Sequence, residues 1–146
     1  MKTKIASILI ILFGLAIGSC KKYPDGPEFT VLTKKYRLVN SWKIQNGFIN
    51  GVDKTSNFNT TFQNANFIFT KDNLYGISYK FMSMMDYTES GTWVWSGDKK
   101  SIYLTITSAG GSGGHKYEIL RLKQHELWIK ETQSNNDVWE FHLIPK

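Results

Sequence analysis

The sequence predicts an all-β domain, an antiparallel up-and-down barrel of about eight strands. Three observations support this prediction. Apolar and polar side chains alternate in short runs rich in aromatic and β-branched residues, which is the period of half-buried strands. Clusters of Gly, Asn, Asp and Ser separate these runs at short intervals, as turns between sequential strands do. No segment of the domain shows the i, i+3, i+4 apolar stripe of a helix of useful length.

The predicted strands follow one another from Tyr36 to the C-terminus, whereas residues 29–39 fit either a short helix or a turn. The alternating runs lie at 42–44, 67–69, 75–81, 102–106, 117–119, 127–129 and 139–143. Turn residues occupy 72–73, 96–98, 110–114 and 134–137.

One open sheet of this size would leave its apolar face and its edges uncovered. Closure into a barrel covers both, as does packing into two sheets. The sequential hairpins favour the barrel, and a β-sandwich is the alternative. We expect one core that includes Trp42, Phe67, Phe69, Trp93, Leu104, Ile119, Ile129 and Phe141.

The N-terminus has the layout of a secretory signal peptide. Lys2 and Lys4 precede the uncharged run 5–18, which is shorter than the ~20 apolar residues that a membrane-spanning helix needs. Residues 17–20 are Ile-Gly-Ser-Cys, and this segment resembles the lipobox of bacterial lipoproteins. That resemblance implies cleavage before Cys20 and attachment of diacylglycerol to its sulfur. The alternative is an ordinary secreted protein, and the single cysteine leaves no disulfide in either case.

These features divide the chain into a signal peptide (1–19), a lipidated tether (20–35) and a barrel domain (36–146). Two prolines and a glycine within 21–28 predict an extended tether. We expect the protein in the cell envelope, held on a membrane by its lipid, with the outer membrane as the default. The residue after the cysteine is Lys21, whereas an Asp there would signal retention in the inner membrane.

The charge of the chain excludes an obvious nucleic-acid binder. The formal net charge is +6, and it falls to +4 for residues 20–146 when Lys2 and Lys4 are removed. Basic residues cluster only at 21–22 and 34–37, and neither cluster makes the basic face that nucleic-acid binding requires. Both clusters lie near the predicted membrane-proximal end, where they contact either anionic headgroups or solvent.

The replacement Cys20→Ala tests the lipid anchor. Because the cysteine sulfur is the predicted acceptor of the lipid, we expect the variant to accumulate as uncut precursor or to incorporate no radioactive palmitate. Labelling of the variant equal to that of the native protein would contradict the lipoprotein assignment.

The pattern of core positions and turns over residues 36–146 resembles the lipocalin-like domains of small bacterial lipoproteins. The matching segments are 42–44 (Trp-Lys-Ile), 67–69 (Phe-Ile-Phe), 91–96 (Gly-Thr-Trp-Val-Trp-Ser), 117–122 (Tyr-Glu-Ile-Leu-Arg-Leu) and 139–143 (Trp-Glu-Phe-His-Leu). The resemblance implies a barrel and brings no catalytic motif, and members mostly have no assigned ligand. The chain departs from the pattern in a long polar insertion, 46–63, and a glycine-rich loop, 110–114.

No catalytic, metal or cofactor motif is recognisable, so we expect a protein that is not an enzyme and has no cofactor. The histidines His115, His125 and His142 show no metal-ligand spacing, and we expect all three to be solvated. The later glutamates fall mostly on outward positions, where surface charge is the expected role: Glu118, Glu126, Glu131 and Glu140.

The aromatic side chains suggest a ligand pocket. An eight-stranded barrel either is filled by its side chains or holds one small ligand. In the second case, the expected pocket lies near one mouth and is lined by Trp42, Phe67, Phe69, Trp93 and Trp95. The insertion would then form a lid through Phe48, Phe58 and Phe62, or else these rings plug the barrel end.

Two functions remain open at this point. The first is the binding of a small apolar or amphipathic ligand at the envelope. The second is an interaction module that joins an envelope protein complex or inhibits a hydrolase. A cavity with apolar walls favours the first, and a filled barrel with an exposed aromatic or Met patch favours the second.

Overall fold

The computed structural model describes residues 31–108 and 113–146, so the predicted signal peptide, Cys20 and most of the tether lie outside the described residues. Within these residues, two short helices, α1 (Lys34–Leu38) and α2 (Thr55–Thr61), accompany nine strands. The strands are β1 (Asn40–Ile49), β2 (Val52–Asp53), β3 (Phe62–Phe69), β4 (Leu74–Phe81), β5 (Met85–Trp95), β6 (Ser101–Ile106), β7 (Gly114–Leu122), β8 (Leu127–Thr132) and β9 (Val138–Pro145). No helix in this part of the chain is long and apolar enough to span a membrane.

Eight of the strands form a closed antiparallel barrel, which confirms the predicted fold class. From β3 to β9 each strand pairs with the next one in the sequence, and β1 pairs with both β3 and β9. The closing pair runs from Trp42 opposite Pro145 to Ile49 opposite Trp139. The short β2 only forms a hairpin with the end of β1.

Register irregularities in three strands accompany the curvature of the barrel. They fall between Ile44 and Asn46 in β1, between Gln63 and Asn66 in β3, and between Ile119 and Arg121 in β7. A bulge bends a strand and increases its local twist. These positions therefore help the sheet to curve back on itself and bring β9 to β1.

The inward-facing side chains form one apolar core. Every residue that the sequence places in the core is buried and belongs to a single cluster, which confirms that prediction. The cluster is dense near α1, where Trp42 and Trp93 are 0% exposed. The Trp93 ring lies edge-on to Phe69, with 6.2 Å between the ring centroids.

Helix α1 covers this end of the barrel. Leu38 is fully buried, and its carbonyl accepts a hydrogen bond from the Trp42 indole nitrogen at 3.0 Å. The buried Arg37 donates to the Leu122 carbonyl at 2.6 Å, which ties the helix to β7. The predicted boundary between tether and domain, at 35/36, therefore falls inside α1.

The segment 46–63 is built into the barrel. It comprises the end of β1, the β2 hairpin, α2 and the first residues of β3. Phe58 of α2 is 3% exposed, and its ring lies 5.3 Å from Trp139 and 5.1 Å from Phe141. A Cβ atom at Gly47 would collide with the Phe58 ring, so the glycine allows α2 to approach β1.

Candidate functional site: a polar cavity inside the barrel

A cavity of about 150 Å³ lies inside the barrel beside the rings that contact α2. Its walls are mostly aromatic, and one side is polar. The apolar and aromatic lining consists of Ile44, Phe62, Ala65, Phe67, Ile77, Tyr79, Trp139 and Phe141. The polar lining consists of Tyr87, Glu89, His115, Tyr117, Glu131 and Gln133. Tyr87 is 36% exposed, so solvent reaches the cavity on that side.

Glu89 is the most deeply buried carboxylate of the site. It shares the inward parity of Gly91 and Trp93 on β5 and is 4% exposed. Tyr75 donates to its Oε1 at 2.7 Å, and Tyr87 donates to its Oε2 at 2.8 Å. A Cβ atom at Gly91 would collide with the Thr105 carbonyl oxygen and would lie 2.8 Å from the Tyr75 ring, so the glycine allows the close approach of both.

His115 of β7 lies between two carboxylates. Its Nδ1 is 2.8 Å from Glu131 Oε1, and its Nε2 is 3.3 Å from Glu89 Oε1. Only the imidazolium form carries a proton on both ring nitrogens and can donate to both partners. The Gln133 amide nitrogen donates to Glu131 Oε2 at 3.0 Å.

The surroundings of these groups shift their pKa values in consistent directions. The hydrogen bond to Glu131 raises the pKa of His115 above 6.5, although burial opposes the shift. Burial alone would raise the pKa of Glu89, but the hydrogen bonds from Tyr75 and Tyr87 and the charge of His115 together lower it below 4.5. The site therefore favours a histidinium between carboxylates.

The tyrosines of the site are held in their neutral form. Burial and then the hydrogen bond to Glu89 raise the pKa of Tyr87 to about 12. Burial, followed by the charges of Glu131 and Glu89, raises the pKa of Tyr117 well above 10.0. These hydroxyl groups therefore remain protonated and can donate hydrogen bonds at neutral pH.

The structure places most of the predicted pocket residues away from the cavity. Phe67 lines it, whereas Trp42, Phe69 and Trp93 are packed in the core near α1. Trp95 is partly buried against Trp93, with 5.7 Å between the ring centroids, and does not line the cavity. Because α1 covers that end and the rings fill the space beneath it, the cavity lies farther along the barrel.

The three predicted lid residues have different positions. Phe62 is a wall of the cavity, and Phe58 lies behind it with 5.8 Å between the ring centroids. Phe48 packs instead against His142, with 4.9 Å between the centroids. Phe58 and Phe62 therefore close the space between α2 and the cavity, and Phe48 takes no part in lining it.

Three predictions about charged residues are wrong. His142 is not solvated, because its side chain is only 17% exposed and its ring stacks on Trp128 with 3.9 Å between the centroids. His115 is not a solvated surface histidine, and Glu131 does not point outward, because both line the cavity and bind each other. Strand parity would have revealed this, because His115 has the parity of the buried Tyr117. Glu131 likewise has the parity of the buried Ile129. Glu89 was not among the predicted site residues, although it shares the parity of the buried Trp93. In 31–108 and 113–146, no group of three or more His, Cys, Asp or Glu is placed to hold a metal ion.

Comparison with known proteins supports the fold. No protein-family model matches the sequence, and no curated protein matches it. The structure is similar to that of a lipocalin-like protein from Bacteroides uniformis, with a TM-score of 0.55, 10% sequence identity and coverage of 75% of this chain and 99% of that chain. It is also similar to an uncharacterised protein from Bacteroides eggerthii, with a TM-score of 0.53, 8% identity and the same coverage of both chains. Because the sequence identities are low, the structural similarity establishes the fold alone, and this fold is lipocalin-like.

Proposed function

We propose that this protein is a non-enzymatic, lipid-anchored, lipocalin-like binding protein of the cell envelope. Its default place is the outer membrane, and it holds a small amphipathic ligand in the barrel. The observation that carries the proposal is the cavity, which combines aromatic walls with one polar side. Apolar walls with a few placed polar groups are typical of small-molecule sites.

The size of the cavity limits the ligand. A cavity of about 150 Å³ is small beside the ~300–1,000 Å³ of pockets that enclose drug-sized ligands. An engineered apolar cavity of roughly 150 Å³ holds one benzene molecule. The enclosed part of the ligand is therefore about one aromatic ring or a short aliphatic group, and a longer chain would extend into solvent.

The hydrogen bonding of the site supports binding without chemistry. The described residues that line the cavity include no Ser, Thr or Cys that could act as a nucleophile. Both nitrogens of His115 already face carboxylates, so neither is available as a base. The group formed by Glu89, His115 and Glu131 is suited to presenting fixed charges and hydrogen-bond partners to a ligand.

Titration of the purified full chain with benzyl alcohol tests this function. We expect saturable binding that changes tryptophan fluorescence, because Trp139 lines the cavity. The Ala65→Phe variant should lose binding, since Ala65 is a wall residue and a phenyl ring there would occupy the cavity. Ile68→Phe is the matched control because Ile68 lies on the same strand, is 39% exposed and does not line the cavity. Equal binding by both variants would contradict the proposal, and so would the absence of saturable binding of this ring by the native protein whether its substituent is neutral, cationic or anionic.

One surface favours the second function, an interaction module for an envelope protein. Met82 and Met84 in the turn between β4 and β5, and Met85 at the start of β5, are 50%, 79% and 60% exposed. Methionine side chains adapt to different partners, and exposed apolar patches commonly mark contact sites. If the native protein shows no saturable binding of the small probe, this surface makes the interaction module the better candidate.

A further inference from the structure

The polar side of the cavity carries an unbalanced negative charge. Two carboxylates, Glu89 and Glu131, face one histidinium, His115. No Lys or Arg is found among the described residues that line the cavity. Residues 109–112 (Ala-Gly-Gly-Ser), which lie outside the described residues, contain no charged side chain. One negative charge therefore has no counter-ion among the cavity-lining residues that the structure describes.

Neighbouring lysines do not supply that counter-ion from the outer face. Lys80 of β4 pairs with Asp86 at 3.6 Å, and Lys130 of β8 pairs with Glu118 at 3.2 Å. Within the barrel, burial is the main cause of the raised pKa values of Tyr75, Tyr79, Tyr87 and Tyr117, and the negative charge of Glu89 raises them further. The cavity therefore presents a negative field, which favours a cation over a neutral or anionic ligand.

The geometry of Glu131 leaves room for another hydrogen-bond donor. Its carboxylate accepts from His115 and from Gln133, and the Tyr117 hydroxyl also hydrogen-bonds to it. An ionised carboxylate offers about four lone-pair positions, so one remains for a ligand. The side chain is 15% exposed and lines the cavity, so a ligand in the cavity can reach it. The cavity lining also includes the aromatic rings of Tyr79 and Trp139, and an aromatic ring attracts a cation that lies over its face.

We propose that the cavity binds a small amphipathic primary amine, with its ammonium group against the carboxylates of Glu131 and Glu89 and its apolar part among Phe62, Tyr79 and Trp139. This inference rests on the proposed binding function and adds the charge class of the ligand. A primary ammonium group fits better than a quaternary one because it can donate hydrogen bonds to Glu131. The ring or short chain next to it would occupy the aromatic part of the cavity.

Calorimetric titration with three probes that share one ring tests the charge class. The probes are benzylamine, benzyl alcohol and benzoate, which are cationic, neutral and anionic at pH 7, and each is titrated into the purified full chain at one fixed salt concentration. We expect benzylamine to bind at least about tenfold more tightly than benzyl alcohol, and benzoate to bind more weakly than both. Equal affinities for the amine and the alcohol would overturn this inference and leave the binding function standing. Binding of none of the three would overturn both.

Substitutions at the carboxylates locate the ammonium group. Glu131→Gln keeps the shape of the side chain and removes its charge, so we expect the ratio of amine to alcohol affinity to fall at least about tenfold. Glu118→Gln is the matched control on the outer face of β7, where the Glu118 side chain is 47% exposed, and it should leave the ratio unchanged. Glu89→Gln serves as the second variant if Glu131→Gln does not fold, as judged by circular dichroism. A ratio that is the same in the native protein and in the folded cavity variant would overturn the proposal.

Discussion

Replacing Trp93 with alanine is expected to lower the free energy of unfolding by about 3–5 kcal/mol. Trp93 is 0% exposed and packs edge-on against both Phe69 and Trp95. The loss combines the transfer free energy of the indole ring with the cost of the space left behind. Because α1 covers this end and strand pairing holds the backbone in place, we expect little collapse into that space.

Urea denaturation of the native protein and the variant measures this loss. The matched control is Val94→Ala, because Val94 is the next residue on β5, faces outward and is 51% exposed. It should change the free energy of unfolding by no more than about 0.5 kcal/mol. A loss of less than about 1 kcal/mol for Trp93→Ala would show that the core near α1 is not packed as described.

Replacing His115 with leucine is expected to destabilise the protein by about 2–3 kcal/mol near pH 6. The variant leaves Glu89 and Glu131 near each other without the positive charge between them. Breaking a fully buried ion pair costs about 3–5 kcal/mol. We expect a smaller loss here because the His115 side chain is 29% exposed and solvent weakens the interaction.

The pH dependence of this effect follows from the two shifted pKa values. The pKa of His115 is raised in the folded state, so its contribution is complete below 6.5 and is lost as the pH rises through the raised value. The pKa of Glu89 is lowered, so its contribution is present above 4.5 and is lost as the pH falls through the lowered value. The difference between native protein and variant should therefore be greatest between pH 4.5 and 6.5.

Denaturation curves recorded across the pH range test this profile. His125→Leu is the matched control, because His125 is exposed in the turn between β7 and β8. That variant should show no maximum in its stability difference between pH 4.5 and 6.5. A His115→Leu difference that stays constant across this window would contradict a charged histidine between the two glutamates.

The sequence predicts the barrel well because alternation reports which side chains face inward. Phe67 and Phe69 on β3, for example, are buried as their parity requires. Helix α2 could not be predicted in this way. Its segment is polar and has one buried residue, Phe58, so its position depends on a ring packing against the distant Trp139 and Phe141.

The candidate site was harder to predict because it buries charged residues. A charge inside a protein is costly unless it is paired, so His115 and Glu131 were expected at the surface and Glu89 was not singled out. The three residues lie on β5, β7 and β8, and β6 separates the first of these strands from the other two in the sheet. Only the closed and curved barrel brings the three side chains within hydrogen-bond distance, and parity alone does not report that closure.

The pairing of β1 with β9 has a consequence for the order of folding. It joins the first and last barrel strands, including Trp42 with Pro145, so this contact spans almost the whole domain. Contacts this distant in sequence pay a large loop-closure entropy and slow the folding reaction. Until they form, β1 and β9 present unpaired edges that can pair with other chains. The closing seam is therefore where a partly folded molecule is most open to aggregation, and a chain that ends before β9 would keep that edge permanently.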